Sequence, residues 1–170
     1  DWKVVGQFFT APAILSGLVN TIIMTVCAMA LGIALGVIFA IMYMSPNPVL
    51  RGVGLFYIWF FRGTPLLLQL LLWFNLALVF PTIGIPGVIE WRTIDVIGPF
   101  MATLLGLGMN EGAYTAEVVR GGILSVDVGQ TEAANSIGMT RLTTLRRIVL
   151  PQAMRVIIPP VGNEVISMVK

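Results

Sequence analysis

The chain has 170 residues, 57% of them hydrophobic and only 11% charged, with a formal charge of +2 and a mean hydropathy of +0.93. Soluble domains carry charge on about a quarter of their residues, and a chain of this size cannot hide so much apolar surface in a water-soluble core. It is therefore read as an integral membrane protein, and the absence of histidine removes a His-based triad, a His metal site and a His proton switch. Residues 1–12 form a mixed lead-in, with Trp2, Phe8 and Phe9 suited to a membrane interface. The segment 13–44 is almost free of charge and longer than the roughly 20 residues a span needs. It is too long for a cleavable signal peptide and lacks a small-residue cleavage site, so it is expected to act as its own targeting signal. Within it, Gly32-x-x-x-Gly36 either admits a close helix neighbour or is simply tolerated. Cys27 lies in the same run, has no second cysteine to pair with, and reads as a small packing or lipid-facing residue.

Ser45-Pro46-Asn47-Pro48 is a turn, followed by Arg51. A second apolar segment covers about 53–80, interrupted by Arg62-Gly63-Thr64-Pro65, where Gly63 and Pro65 kink or restart the helix. Arg62 either snorkels to the interface or has an internal partner. The stretch 81–99 is a loop broken by Pro81, Gly84, Pro86 and Gly87, and its part 88–95, with Glu90, Trp91 and Arg92, is expected at the interface. A third span covers about 97–116 and is rich in glycine: Gly98, Gly106, Gly108 and Gly112. A fourth covers about 154–170. The expected fold class is thus all-α and polytopic, a single transmembrane domain with about four spans.

Two of these spans carry a polar pair, Asn110 with Glu111 and Asn163 with Glu164. An ionised carboxylate in a span faces protein or a water-filled cavity. These four residues are candidates for a substrate path that receives an ammonium or guanidinium group. The alternative is that each Glu pairs with a base such as Arg62 or Arg120 and clamps helices. Glu117 and Arg120 have i,i+3 spacing and are expected to pair with each other.

The longest polar stretch, about 117–152, separates the third and fourth spans. Asp127 is a candidate N-cap with Gln130 three residues on, and Glu132 lies in or near the first turn. Ala133 and Ala134 favour helix and add little bulk, and Gly138 can take the left-handed conformation that closes it. Thr140 can cap a second helix with Leu142, Leu145 and Val149 on one face, which Pro151 is expected to stop. By local propensity alone this is either an amphipathic elbow on the membrane surface or a docking element.

The spacing Glu132-Ala133-Ala134, three residues, Gly138, nine residues, Ile148, one residue, Leu150-Pro151 resembles the EAA signature of the membrane subunits of ABC importers. FRGTPLLLQ at 61–69 and AYTAEVVRGGI at 113–123 are similar to the sub-family that imports polar amino acids. The resemblance covers nearly the whole chain. It implies a type I ABC importer permease fold, with four of an expected five spans within these 170 residues. It implies a cytoplasmic coupling helix in which Gln130, Glu132, Ala133, Ala134 and Gly138 engage a separate ABC ATPase subunit. It also implies a second permease subunit, identical or paralogous, an extracytoplasmic amino-acid-binding protein, and a place in the bacterial inner membrane. ATP and Mg would be bound by the ATPase, and no cofactor or nucleic acid by this chain.

Charge agrees with that topology. Arg120, Arg141, Arg146, Arg147 and Arg155 cluster between 117 and 155, which puts that loop in the cytoplasm and the N-terminus outside. There is no G-x-x-x-x-G-K-[ST], no H-E-x-x-H and no nucleophile with a histidine to activate it, so no enzyme is expected. The other transport reading is an ion-coupled secondary transporter or channel that uses Glu111 and Glu164. A third reading is a membrane partner that only assembles other subunits.

Overall fold

Helix α1, Pro12–Tyr43, starts where Pro12 takes the first helical position, at which its missing N–H costs nothing. It has no further breaker until the Ser45–Pro48 turn. Its outward residues, among them Ile14, Leu18, Ile22 and Val26, are exposed at four-residue spacing, a stripe that only lipid or another protein can cover. The computed structural model describes residues 2, 6, 11–85 and 89–169. Phe8, Phe9, Pro86, Gly87, Val88 and Lys170 lie outside the described residues.

Helix α2, Pro48–Gly63, begins earlier than the hydropathy suggested, because the turn itself caps it. Asn47 Oδ1 accepts the Val49 amide at 2.9 Å, and Pro48 occupies the first turn. The helix stops at Gly63-Thr64-Pro65. Helix α3, Leu66–Phe74, then leaves at 99° to α2, so the second apolar segment is a bent pair. One further turn, α4 (Leu76–Val79), ends it. Among the described residues, α1 is long and apolar enough to cross a membrane, and the bent pair passes the same test when its two helices are taken as one span.

The loop that follows holds a small antiparallel hairpin, β1 (Thr82–Ile85) with β2 (Ile89–Arg92), and a turn of helix, α5 (Thr93–Val96). The described residues are otherwise overwhelmingly helical, 83% in all. Helix α6, Pro99–Leu124, is about 39 Å long at 1.5 Å per residue and runs eight residues past the end expected at 116. Gly121-Gly122 does not stop it, because Gly122 faces Ile157 and the Ala153 carbonyl too closely for any side chain.

Helix α7, Val128–Ser136, and α8, Arg141–Thr144, make the polar elbow. The expectation that Pro151 would stop the second elbow helix is corrected here. A wide π-turn at Leu145–Val149 follows α8, and α9, Leu150–Val169, continues from it without a gap. The Leu150 amide bonds Leu145 O, five residues back, and the wider turn makes room for the Pro151 ring.

The core is where α1, α2, α6 and α9 meet. It consists of Ala40, Tyr57, Ile58, Ala113, Ala116, Val119, Ala153 and Ile157. Small residues let the backbones approach. Gly32 lies against Glu111 and Gly112, Gly36 against Thr115 and Ala116, and Gly108 against Leu31. The Gly32-x-x-x-Gly36 pattern is therefore a packing seam. Beside it, Phe39 and Tyr57 stack at 3.7 Å, and Tyr57 donates to Met109 O at 2.7 Å.

Candidate coupling segment and intramembrane polar site

The elbow is built from short-range bonds. Asp127 Oδ1 accepts the Gly129 amide at 2.6 Å, and the Gln130 amide donates to Asp127 O at 3.0 Å, so the N-terminus of α7 is capped as its sequence requires. Glu132 is the fifth helical residue, one turn beyond the strongest reach of the dipole. At the other end the Gly138 amide donates to Asn135 O and the Met139 amide to Ala134 O, both at 3.0 Å. Gly138 has φ +79°, the left-handed conformation that this closing motif demands. Thr140 then accepts the Thr143 amide at 3.4 Å and starts α8.

The side chains divide by face. Ala134 is buried at 1% exposure, whereas Gln130, Glu132 and Ala133 are exposed. Ala134 holds α7 to the body and the other three present a surface with little bulk. Between α7, α8 and the end of α6 lies a cleft of about 570 Å³ lined by Ile123, Val126, Thr131, Asn135, Arg141 and Thr144. Arg146 and Arg147 are exposed on the π-turn.

The four intramembrane candidates separate into different environments. Glu111 is buried at 5% exposure in the seam, accepts the Thr115 hydroxyl at 3.2 Å, and lies next to Gly32. Glu164 is half-buried on α9. Asn163 is exposed. Asn110 belongs to the helix break: its amide donates to Phe61 O at 3.0 Å and to Gln69 Oε1 at 3.4 Å.

Gln69 is the residue the sequence did not flag. It is 5% exposed, and its amide donates to Phe61 O, Thr64 O and Thr64 Oγ1 at 2.8–3.1 Å. Together Gln69 and Asn110 take up carbonyls that the break frees inside apolar surroundings. A lone amide in Leu66–Phe74 was the available signal.

The basic residues do not clamp either glutamate. Arg62 stands over the Tyr114 ring at 5.3 Å, an internal partner on α6. Arg120 pairs with Glu117 at 2.8 Å, as the spacing predicts, and also faces the Tyr43 ring at 5.3 Å. Among the described residues, neither Glu111 nor Glu164 has a base within ion-pair distance.

Apolar helices packed through small residues, a broken helix whose carbonyls are satisfied inside, and a capped polar elbow between the last two long helices are the features of a helical membrane protein. Residues 32–170 match the family described as the binding-protein-dependent transport system inner membrane component. The chain belongs to that family. It is similar to the arginine transport system permease protein ArgU of Corynebacterium glutamicum, 44% identical over 170 residues, which are 99% of this chain and 54% of that protein. It is 41% identical to the L-cystine transport system permease protein TcyB of Bacillus subtilis over 169 residues, 99% of this chain and 66% of that protein. The chain thus spans between about half and two thirds of these two curated relatives. A crystal structure of an amino acid ABC transporter with histidines superposes with a TM-score of 0.82 at 38% identity, over 99% of this chain and 72% of that one. An inward-facing structure of the MetNI methionine ABC transporter, at 18% identity and TM-score 0.70 over 92% of this chain and 69% of that one, shares the fold.

Proposed function

We propose that this chain is the membrane-spanning permease subunit of an ATP-driven ABC importer of polar amino acids. The observation that carries the proposal is the elbow: Asp127 and Gly138 close α7 at both ends, Ala134 seals it to the body, and Gln130, Glu132 and Ala133 are left outward. That is the form of a rigid docking helix. The family match and the amino-acid permeases among its relatives supply the class of cargo.

In this reading a separate ATPase subunit, which binds ATP and Mg, takes the outward face of α7. A second permease subunit completes the pathway, and an extracytoplasmic amino-acid-binding protein delivers the cargo. The 117–152 loop is cytoplasmic and the N-terminus lies outside, as the arginine distribution argues. ATP-driven closure of two ATPases moves the docked helices as rigid bodies and switches the cavity between its two openings. Glu164, half-buried and with no base in ion-pair distance among the described residues, and Glu111, buried in the seam, favour cargo carrying an ammonium or guanidinium group.

The test is uptake by the complete complex in proteoliposomes. Uptake should require ATP and the ATPase and survive collapse of ion gradients. Uptake that persists without ATP and disappears with an ionophore would establish secondary transport instead. In the same assay Glu164→Gln should lower uptake of cationic amino acids with little loss of folded complex. Lowered yield with unchanged uptake per complex would make Glu164 a helix clamp.

A further inference from the structure

The hairpin between the bent pair and α6 is amphipathic. Its register sets Ile83 opposite Trp91 and Gly84 opposite Glu90. Side chains alternate across a strand, so Ile83, Ile85 and Trp91 share one face, and Thr82, Glu90 and Arg92 share the other. A soluble hairpin would turn such an apolar face onto a core. Here Ile85 is 66% exposed and Trp91 is 59% exposed.

The base of the hairpin is firmly tied. Thr93 is fully buried, its amide donates to Pro81 O at 3.0 Å, and its hydroxyl donates to Phe80 O. Leu78, Val79 and Phe80 just before the hairpin and Ile94 just after it are exposed apolar residues. The strands thus carry their apolar face beside further exposed apolar residues at their base. Arg92 and Asp95 sit together at 4.0 Å, both well exposed, at its polar rim.

We propose that the paired strands β1 and β2 form a membrane-interface anchor. Ile83, Ile85 and Trp91 lie at the boundary of headgroups and acyl chains, and the Arg92–Asp95 pair stays in water. The partner is a lipid surface for two reasons. The adjoining residues Leu78, Val79 and Phe80 are exposed and apolar in a member of an inner-membrane family, and the strands are tied to that segment through Thr93. Tryptophan matches the boundary chemically, with a ring for the apolar side and an N–H for the polar side. Helix α6 leads from the hairpin to the polar elbow over about 39 Å, which puts the anchor at the membrane face opposite the elbow. The inference requires only that the chain sits in a bilayer; it is independent of cargo and of the ATPase.

Spin labels on the complete transporter in lipid nanodiscs of phosphatidylethanolamine and phosphatidylglycerol test it. Single labels are placed at Ile85→Cys or Thr82→Cys in a Cys27→Ser background. Collisions with oxygen, which partitions into lipid, are compared with collisions with a water-soluble nickel chelate. The Ile85→Cys label should favour oxygen and exclude nickel several-fold relative to the Thr82→Cys label. Equal nickel access at both positions overturns the proposal. Shielding at Ile85→Cys that develops only when a binding protein is added also overturns it, and assigns the face to protein docking. A label-free measurement accompanies these variants: Trp91→Phe should remove a share of the fluorescence quenching by lipids brominated near the headgroup. Unchanged quenching in Trp91→Phe overturns the proposal as well.

Discussion

Gly36→Ala probes the seam between α1 and α6. A Cβ at Gly36 stands 2.5 Å from Thr115 Cγ2, 2.6 Å from Thr115 Cβ and 3.1 Å from the Ala116 backbone nitrogen. Carbon contacts are comfortable near 3.5–4.0 Å, so about 1 Å of separation is required. Thr115 cannot supply it by turning, because its Cβ is itself in the way and its hydroxyl is bonded to Glu111. Overpacking of this kind costs about 1–3 kcal/mol. Replacing glycine within a helix returns up to about 1 kcal/mol, which masks part of that cost. Gly17→Ala removes the ambiguity: it lies in the same helix with nothing within 4 Å of its Cβ. The difference between the two variants isolates the overpacking, and Gly36→Ala should be less stable by about 1–3 kcal/mol. Reversible unfolding with sodium dodecyl sulfate in mixed micelles, followed by circular dichroism, measures both. Equal stability would refute the close approach of α1 and α6.

Three further outcomes are expected. Gly138→Leu should insert normally yet lose ATPase co-purification or coupled uptake, because a branched side chain at φ +79° strains the bend by about 1 kcal/mol or more; normal uptake with normal co-purification refutes a role for the bend. Asn110→Leu leaves Gln69 Oε1 without its Asn110 donor and removes one of two donors to Phe61 O, so it should destabilise the protein by about 1–3 kcal/mol in the same unfolding assay. Lost uptake at unchanged stability would instead return Asn110 to the substrate path. A cysteine at Thr143 in a Cys27→Ser background should resist an impermeant thiol reagent in intact cells, and efficient labelling from outside would overturn the assigned topology.

Features that depend on neighbours in sequence are legible in the sequence itself. The caps at Asp127 and Thr140 and the positive φ at Gly138 are local: each is a small side chain or bare backbone serving amides within a few residues. The break at Gly63-Thr64-Pro65 was legible for the same reason, but its angle was not. Pro151 misled because the usual rule concerns α geometry, and the π-turn before it changes which amide meets which carbonyl. The hairpin was hidden because two four-residue strands leave too little alternation to read. The roles of Asn110 and Gln69 were hidden because their partners are tertiary. Asn110 reaches a carbonyl 49 positions away and an amide 41 positions away. Hydropathy shows such residues as anomalies in an apolar run, without saying what they serve.

The wide turn at Leu145–Val149 has a mechanical consequence. Since no loop separates the arginine-bearing elbow from the last helix, residues 141–169 run as one continuous helical stretch, about 43 Å of rise at 1.5 Å per residue. Glu164 sits about 21 Å along it from Leu150, so a tilt of about 10° pivoting on the wide turn carries that carboxylate sideways by roughly 4 Å. The stretch is not equally stiff throughout. Pro159 and Pro160 lie within it and remove two adjacent amide donors, leaving a compliant joint between the pivot and Glu164. In the proposed coupling, force applied at the elbow would reach the carboxylate as displacement filtered by that joint, and Pro160→Ala is expected to change the stroke without touching either end.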